Sequence, residues 1–113
     1  MDTSVLRKIV GDDEATVREL LALFLDTAGR QRAQMHAAGA ADDARGAGAV
    51  AHKLQSASRT VGAPALAALC AAIESAAKAG DLPALREHLA AFDLELERQE
   101  TAIHAYLGNA DNR

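Results

Sequence analysis

Between Asp12 and Leu107 the apolar residues return every three or four positions, and the runs break only where glycine, proline and aspartate gather. That spacing is the period of an α-helix with one buried face. No stretch shows the alternation of a half-buried strand, and no repeat or low-complexity linker interrupts the pattern. The chain is therefore constrained to be all-helical.

The punctuation divides it. Asp2 or Thr3 can cap a short first helix bearing Val5, Leu6, Ile9 and Val10, closed by Gly11. Asp12 and Asp13 then put negative charge at the start of a long helix, where the macrodipole favours it. Its stripe is Val17, Leu20, Leu21, Phe24, Leu25 and Ala28, weakening toward Met35 and fading around Ala37 to Gly39. Asp42 or Asp43 caps the next helix, which runs to Val61 and stops at Gly62. Pro64 suits a first turn, and Leu66, Leu69, Cys70, Ile73 and Ala77 carry the fourth helix to Gly80. Asp81 caps the last helix and Pro83 opens it. Its stripe is Leu82, Leu85, Leu89, Phe92, Leu96, Ile103 and Leu107, with Gly108 as the end and Asn109 to Arg113 as a tail with nothing to bury. Four amphipathic helices with short connections predict an antiparallel up-down four-helix bundle, with the short N-terminal helix capping one end.

Composition limits what such a bundle can be. At 113 residues the chain reads as a single domain, 1–113. Aromatics are only 3% of a 50% hydrophobic sequence, so the core is Leu, Val, Ile and Ala, which suits closely packed helices. A net charge of -4 argues against a nucleic-acid partner. No apolar run approaches the roughly 20 residues of a membrane span, and the start lacks the pattern of a signal peptide, so a cytoplasmic location is expected. Cys70 is the one cysteine and lies on an apolar stripe, which reads as core.

The third helix carries the one arrangement that suggests chemistry. On a wheel of about 100° per residue, Ala47, Val50, Leu54, Ala57 and Val61 form the apolar side, and His52 falls almost opposite. Arg45, Gly48, Ser56 and Arg59 share its face, with Gln55 near the edge. An exposed neutral imidazole is a competent nucleophile near neutral pH. Small residues one turn before it (Gly48) and after it (Ser56) let a partner approach. Arg45, Lys53 and Arg59 can stabilise a phosphoryl group or meet an acidic partner. Gly46 and Gly48 each cost about 1 kcal/mol of helix propensity, so close approach of a partner or a neighbouring helix is the reason to seek for them.

The segment His52-Lys53-Leu54-Gln55-Ser56-Ala57-Ser58-Arg59-Thr60-Val61-Gly62-Ala63 resembles the phosphoacceptor motif of histidine-containing phosphotransfer (HPt) domains. The resemblance continues through Leu66, Leu69-Cys70, Glu74 and Ala79-Gly80-Asp81, and the opening Val5-Leu6 with Val10 to Asp13 is similar to the family's usual start. It implies a four-helix bundle with His52 as phosphoacceptor, attacking through Nε2. The phosphoryl group would come from the aspartate of one response-regulator receiver domain and pass to another. Gly48 and Ser56 would admit the receiver and Gln55 would sit beside the phosphoryl group, with Arg45, Lys53 and Arg59 as further contacts. Two departures stand out: Gln55 occupies a position where many members carry lysine, and Ser56 one where many carry glycine.

No glycine-rich phosphate loop is present, so the expectation is a phosphocarrier rather than a kinase. It would need no cofactor or metal of its own, Mg²⁺ being expected only on the partner receiver, and would work as a monomer. As an alternative, the chain could be the HPt fragment of a hybrid sensor histidine kinase, whose parent would be an enzyme. A plain helical interaction module is the main rival. A metal-binding bundle is disfavoured, because His36, His52, His88 and His104 are scattered and no Glu-x-x-His pair occurs. His36, His88 and His104 are expected to have no part in chemistry.

Overall fold

The computed structural model describes residues 1–111 and contains, among them, five helices and no strand: α1 (Thr3–Val10), α2 (Glu14–Ala40), α3 (Ala44–Thr60), α4 (Pro64–Lys78) and α5 (Leu82–Asp111). Each start is set by the residue that can satisfy its free amides. Asp2 accepts from Ser4 N, Asp13 from Ala15 N, Asp43 from Gly46 N, and Asp81 from Ala84 N. α4 has no side-chain cap and begins instead on Pro64, which has no amide hydrogen to satisfy.

The four long helices close a ring in which α3 packs on α2 and α4, and α5 packs on α4 and back on α2. The apolar stripes meet in one core containing Val17, Leu21, Phe24, Met35, Leu54, Leu66, Cys70, Ile73, Leu85, Phe92, Leu96 and Ile103. Thirty residues at 1.5 Å each give α5 a length of about 45 Å, nearly the whole 48 Å long dimension. The seam between α2 and α5 is stitched by polar contacts. His36 Nε2 lies 2.8 and 2.9 Å from the two Asp93 carboxylate oxygens, Arg32 pairs with Glu100, Arg86 donates to Gly39 O, and Arg18 donates to Leu107 O. No helix among the described residues is long and apolar enough to cross a membrane.

Three details differ from the periodicity. α2 does not fade at Gly39 but runs to Ala40, and its left-handed stop residue is Asp42 (φ 58) rather than a glycine. The stop is hydrogen-bonded as a glycine stop would be, with Asp43 N donating to Ala38 O and Asp42 N to Gly39 O. α5 passes through Gly108 to Asp111, so that glycine is not the terminus. Residues 112 and 113, and the side chains of the proposed tail from Asn109 onward, lie outside the described residues. On α3 the buried face is Ala47, Gly48, Ala51, Leu54 and Ser58 with Val61 after it, while Val50 and Ala57 are half-buried. Ser58 enters this face because its hydroxyl donates to Leu54 O, 2.8 Å away. Burial against this layer pushes the Cys70 thiol up to about 11, so it stays protonated at neutral pH.

The α3–α4 turn is the junction on which the N-terminus docks. Gly62 (φ 71) donates to Arg59 O and Ala63 N donates to Ser58 O, the paired bonds of a Schellman stop. The N-terminal segment docks on the same turn through Asp2 N to Val61 O, and a Cβ on Gly62 would collide with the Asp2 carbonyl. Gly62→Ala therefore adds a left-handed strain of about 1–2 kcal/mol to that collision. The expected result is a melting temperature lowered by about 5 °C or more, read by thermal circular dichroism. A melt unchanged from wild type would contradict the docking of Asp2.

Candidate functional site

α3 holds His52 on the surface directly across from α4. The side chain is 69% exposed, and its Nδ1 lies 2.7 Å from Oε2 of Glu74, whose own side chain is 21% exposed. Glu74 is in the C-terminal half of α4, one turn after Cys70 and next to Ile73, the two residues that anchor that helix in the core. A bare nitrogen lone pair would be repelled by a carboxylate oxygen at this distance, so Nδ1 carries the ring proton. In the neutral ring the lone pair then sits on Nε2, the nitrogen left free of Glu74. The site therefore presents one oriented nucleophilic nitrogen with an anion behind the ring.

A cleft of about 610 Å³ opens beside the ring, between α3 and α4. Gly48, Ala49 and Ala77 contribute its small apolar surfaces, and Arg45, Lys53 and Lys78 its cations, with His52 and Glu74 completing the lining. Thus three of the residues expected around His52 (Arg45, Gly48 and Lys53) come together with it. Gln55, Ser56 and Arg59 do not line this cleft: they lie further along α3, Ser56 and Arg59 exposed and Gln55 half-buried.

Gly48 is the residue whose position differs most from the wheel. It is buried, not solvent-facing. A Cβ there would come 2.5 Å from the Ala77 Cβ and 3.9 Å from the Glu74 Cα. Its glycine identity is thus explained by the neighbouring helix, and this close approach is what brings Glu74 within reach of His52. Gly46 has a different reason, since a Cβ would run into the Asp43 carboxylate that caps the helix. Gly48→Ala forces α3 and α4 apart, an overpacking cost of about 1–3 kcal/mol that outweighs the roughly 1 kcal/mol of regained propensity. The expected result is a net loss of about 1 kcal/mol in denaturant unfolding. The paired change Gly48→Ala/Ala77→Gly makes room for the new methyl and recovers the packing part of that loss. A single variant more stable than wild type would contradict the close approach.

Sequence reasoning did not single out Glu74 or Lys78 for this site. Glu74 stood only among the residues of the family resemblance, and nothing in α4's periodicity marks it as facing an imidazole on another helix. The remaining histidines are elsewhere: His36 is tied to Asp93, His88 is half-buried and His104 exposed. Among the described residues no three His, Cys, Asp or Glu side chains gather in one place.

Comparisons with known proteins fit this geometry. The Hpt domain family model matches residues 19–102. The fold aligns with the crystal structure of histidine-containing phosphotransfer protein B (HptB) from Pseudomonas aeruginosa PAO1, with a TM-score of 0.89 and 24% identity, covering 96% of this chain and 95% of that one. None of the curated proteins matches the chain.

Proposed function

Since the chain belongs to the Hpt domain family, we propose that it is a phosphocarrier in a multistep phosphorelay, holding the phosphoryl group on His52. The observation that carries this reading is the exposed imidazole with Nδ1 held by Glu74 and Nε2 free. The partners are receiver domains of response regulators or of a hybrid sensor kinase. One donates from its aspartyl phosphate and another accepts. The chain acts as a single domain over residues 1–113, as a monomer and in the cytoplasm. Its four long helices run up and down, with α1 across the end where Asp2 meets the α3–α4 turn.

The chemistry follows from the ring. The Nε2 lone pair attacks phosphorus in line with the departing carboxylate; the N–P bond forms and the P–O bond breaks, its electrons leaving on the aspartate. The ring becomes a phosphorylated imidazolium that keeps its proton on Nδ1, and the Glu74 carboxylate beside that nitrogen stabilises the positive charge as it develops. In the onward step an aspartate oxygen of the second receiver attacks phosphorus, and the N–P electrons return to Nε2. This chain brings the nucleophile and the docking surface; the receiver brings its Mg²⁺ and the acyl phosphate.

The test is incubation with a receiver domain labelled at its aspartate. Label should move to this chain, be labile in acid, and map to the peptide containing His52. An unlabelled chain across the receivers of the same cell would favour a plain interaction module instead.

A further inference from the structure

Three residues that the phosphoryl chemistry does not use close a ring of hydrogen bonds across three helices. Arg7 Nη2 donates to Glu14 Oε2 and to the Tyr106 hydroxyl, 2.8 Å away, and that hydroxyl donates to the other Glu14 oxygen, Oε1. Arg7 belongs to α1, Glu14 is the first residue of α2, and Tyr106 lies late in α5. The ring needs a charged Arg7, an ionised Glu14 and a neutral Tyr106, and the surroundings favour those forms. Hydrogen bonds from Tyr106 and then Arg7 hold the Glu14 carboxyl below its usual value, while burial and then the bond to Glu14 push the Tyr106 hydroxyl up.

α1 depends on such a tie. At eight residues it is too short to be a stable helix by itself. Leu6 is its one buried residue, and Ile9 is exposed. At its start Asp2 N donates to Val61 O, where α3 stops. α5 has a matching need. It is 30 residues long and α4 is 15, so α4 can flank only half of it. The later half, with Ile103, Tyr106 and Leu107, is held from α2 and α1: Arg18 donates to Leu107 O, and Arg7 and Glu14 bind Tyr106.

We propose that α1 is a strap locked by Tyr106, and that the strap, the α3–α4 turn and the last turns of α5 open together as one unit while the rest of the bundle stays folded. The turn belongs to the unit because Asp2 sits directly over Gly62, where a Cβ would collide with it. Removing the tyrosine hydroxyl takes away an acceptor from Arg7 and a donor from Glu14 at once and leaves the aromatic ring in place. The strap is then held by Leu6 and Asp2, which leave with it. The cleft residues on α3 and α4, from Arg45 to Lys53 and from Glu74 to Lys78, lie outside the unit, so opening bares the apolar surface under Leu6 and leaves the contact of His52 with Glu74 intact.

The test is hydrogen exchange of the full chain in deuterated buffer at neutral pH, followed by mass spectrometry of its peptides. Tyr106→Phe should speed exchange of the α1 amides about tenfold. Peptides covering Gly62 and Ala63, and those around Tyr106, should quicken to a similar extent, and peptides covering Ala67 to Ile73 and Leu85 to Leu96 should not change. Arg7→Gln should act alike, and the double variant should add little to either single one, because both break the same ring. Faster exchange spread evenly over all the helices would mean general destabilisation and would overturn the strap. So would wild-type exchange of α1 in both variants, a double variant whose effects add in full, or a Gly62 turn that stays protected while α1 opens.

Discussion

His52→Gln takes up no phosphoryl label from a phosphorylated receiver and melts within about 4 °C of the wild-type protein. Both halves follow from the same exposure. With 69% of its side chain in solvent, the ring contributes almost nothing to the core, and surface substitutions of this kind change stability by about 0.5 kcal/mol or less, which converts to a few degrees in a small domain. Glutamine keeps a polar side chain facing Glu74 but has no nucleophilic nitrogen, so the acceptor is lost and the fold is not. The other histidines set the discriminating background. His36 has its Nε2 bound by Asp93, which leaves Nδ1 as its other nitrogen, and His88 is half-buried, so label on either is separated from label on His52 by peptide mapping. His104 is exposed, and label that survives on the variant and maps to His104 would show surface reactivity rather than a designed acceptor. Label retained at the wild-type level would sink the relay reading.

The helices were legible because each begins and ends on a residue with a local reason. Asp2, Asp13, Asp43 and Asp81 cap, and Gly11, Gly62 and Gly80 take positive φ, all within a few residues of the bonds they make. The failures are equally local in cause. Asp42 adopts the left-handed conformation that sequence reading reserves for glycine, and Gly108 lies inside a helix because a lone glycine costs only about 1 kcal/mol there. On α3 the stripe was turned slightly, because Ser58 satisfies its own hydroxyl and Gly48 has no side chain to reveal its burial. The exposed histidine could be read from one helix alone. Its partner could not. Whether Glu74 and Lys78 reach His52 depends on how close α3 and α4 come, and that distance is set by the contact of Gly48 with Ala77, residues 29 positions apart in the chain.

Removing Glu74 separates orientation from stability. A surface contact between an imidazole and a carboxylate, with the ring this exposed, contributes about 0–1 kcal/mol to the fold, so Glu74→Ala and Glu74→Gln should both melt close to wild type. Their effects on transfer differ because the two substitutions remove different things. In Glu74→Gln the amide carbonyl can still accept from the Nδ1 proton, so the ring keeps its tautomer and the lone pair stays on Nε2. What is lost is the anion that steadies the imidazolium as phosphorus is attacked, and transfer slows by about tenfold, equivalent to 1.4 kcal/mol at the transition state. In Glu74→Ala the ring also loses its orienting partner. The proton is then free to reside on Nε2, which removes the attacking lone pair from part of the population, and the rate falls by about ten- to a hundredfold, by analogy with the loss on deleting the partner that orients a metal-bound histidine. Nitrogen NMR of the neutral protein reads the first cause directly: the His52 proton should be on Nδ1 in wild type and Glu74→Gln, and shared between the nitrogens in Glu74→Ala. Transfer kinetics from a fixed phosphorylated receiver read the second. An alanine variant with wild-type rate and an unchanged tautomer would mean that the 2.7 Å contact between Nδ1 and Oε2 does not set up the nucleophile.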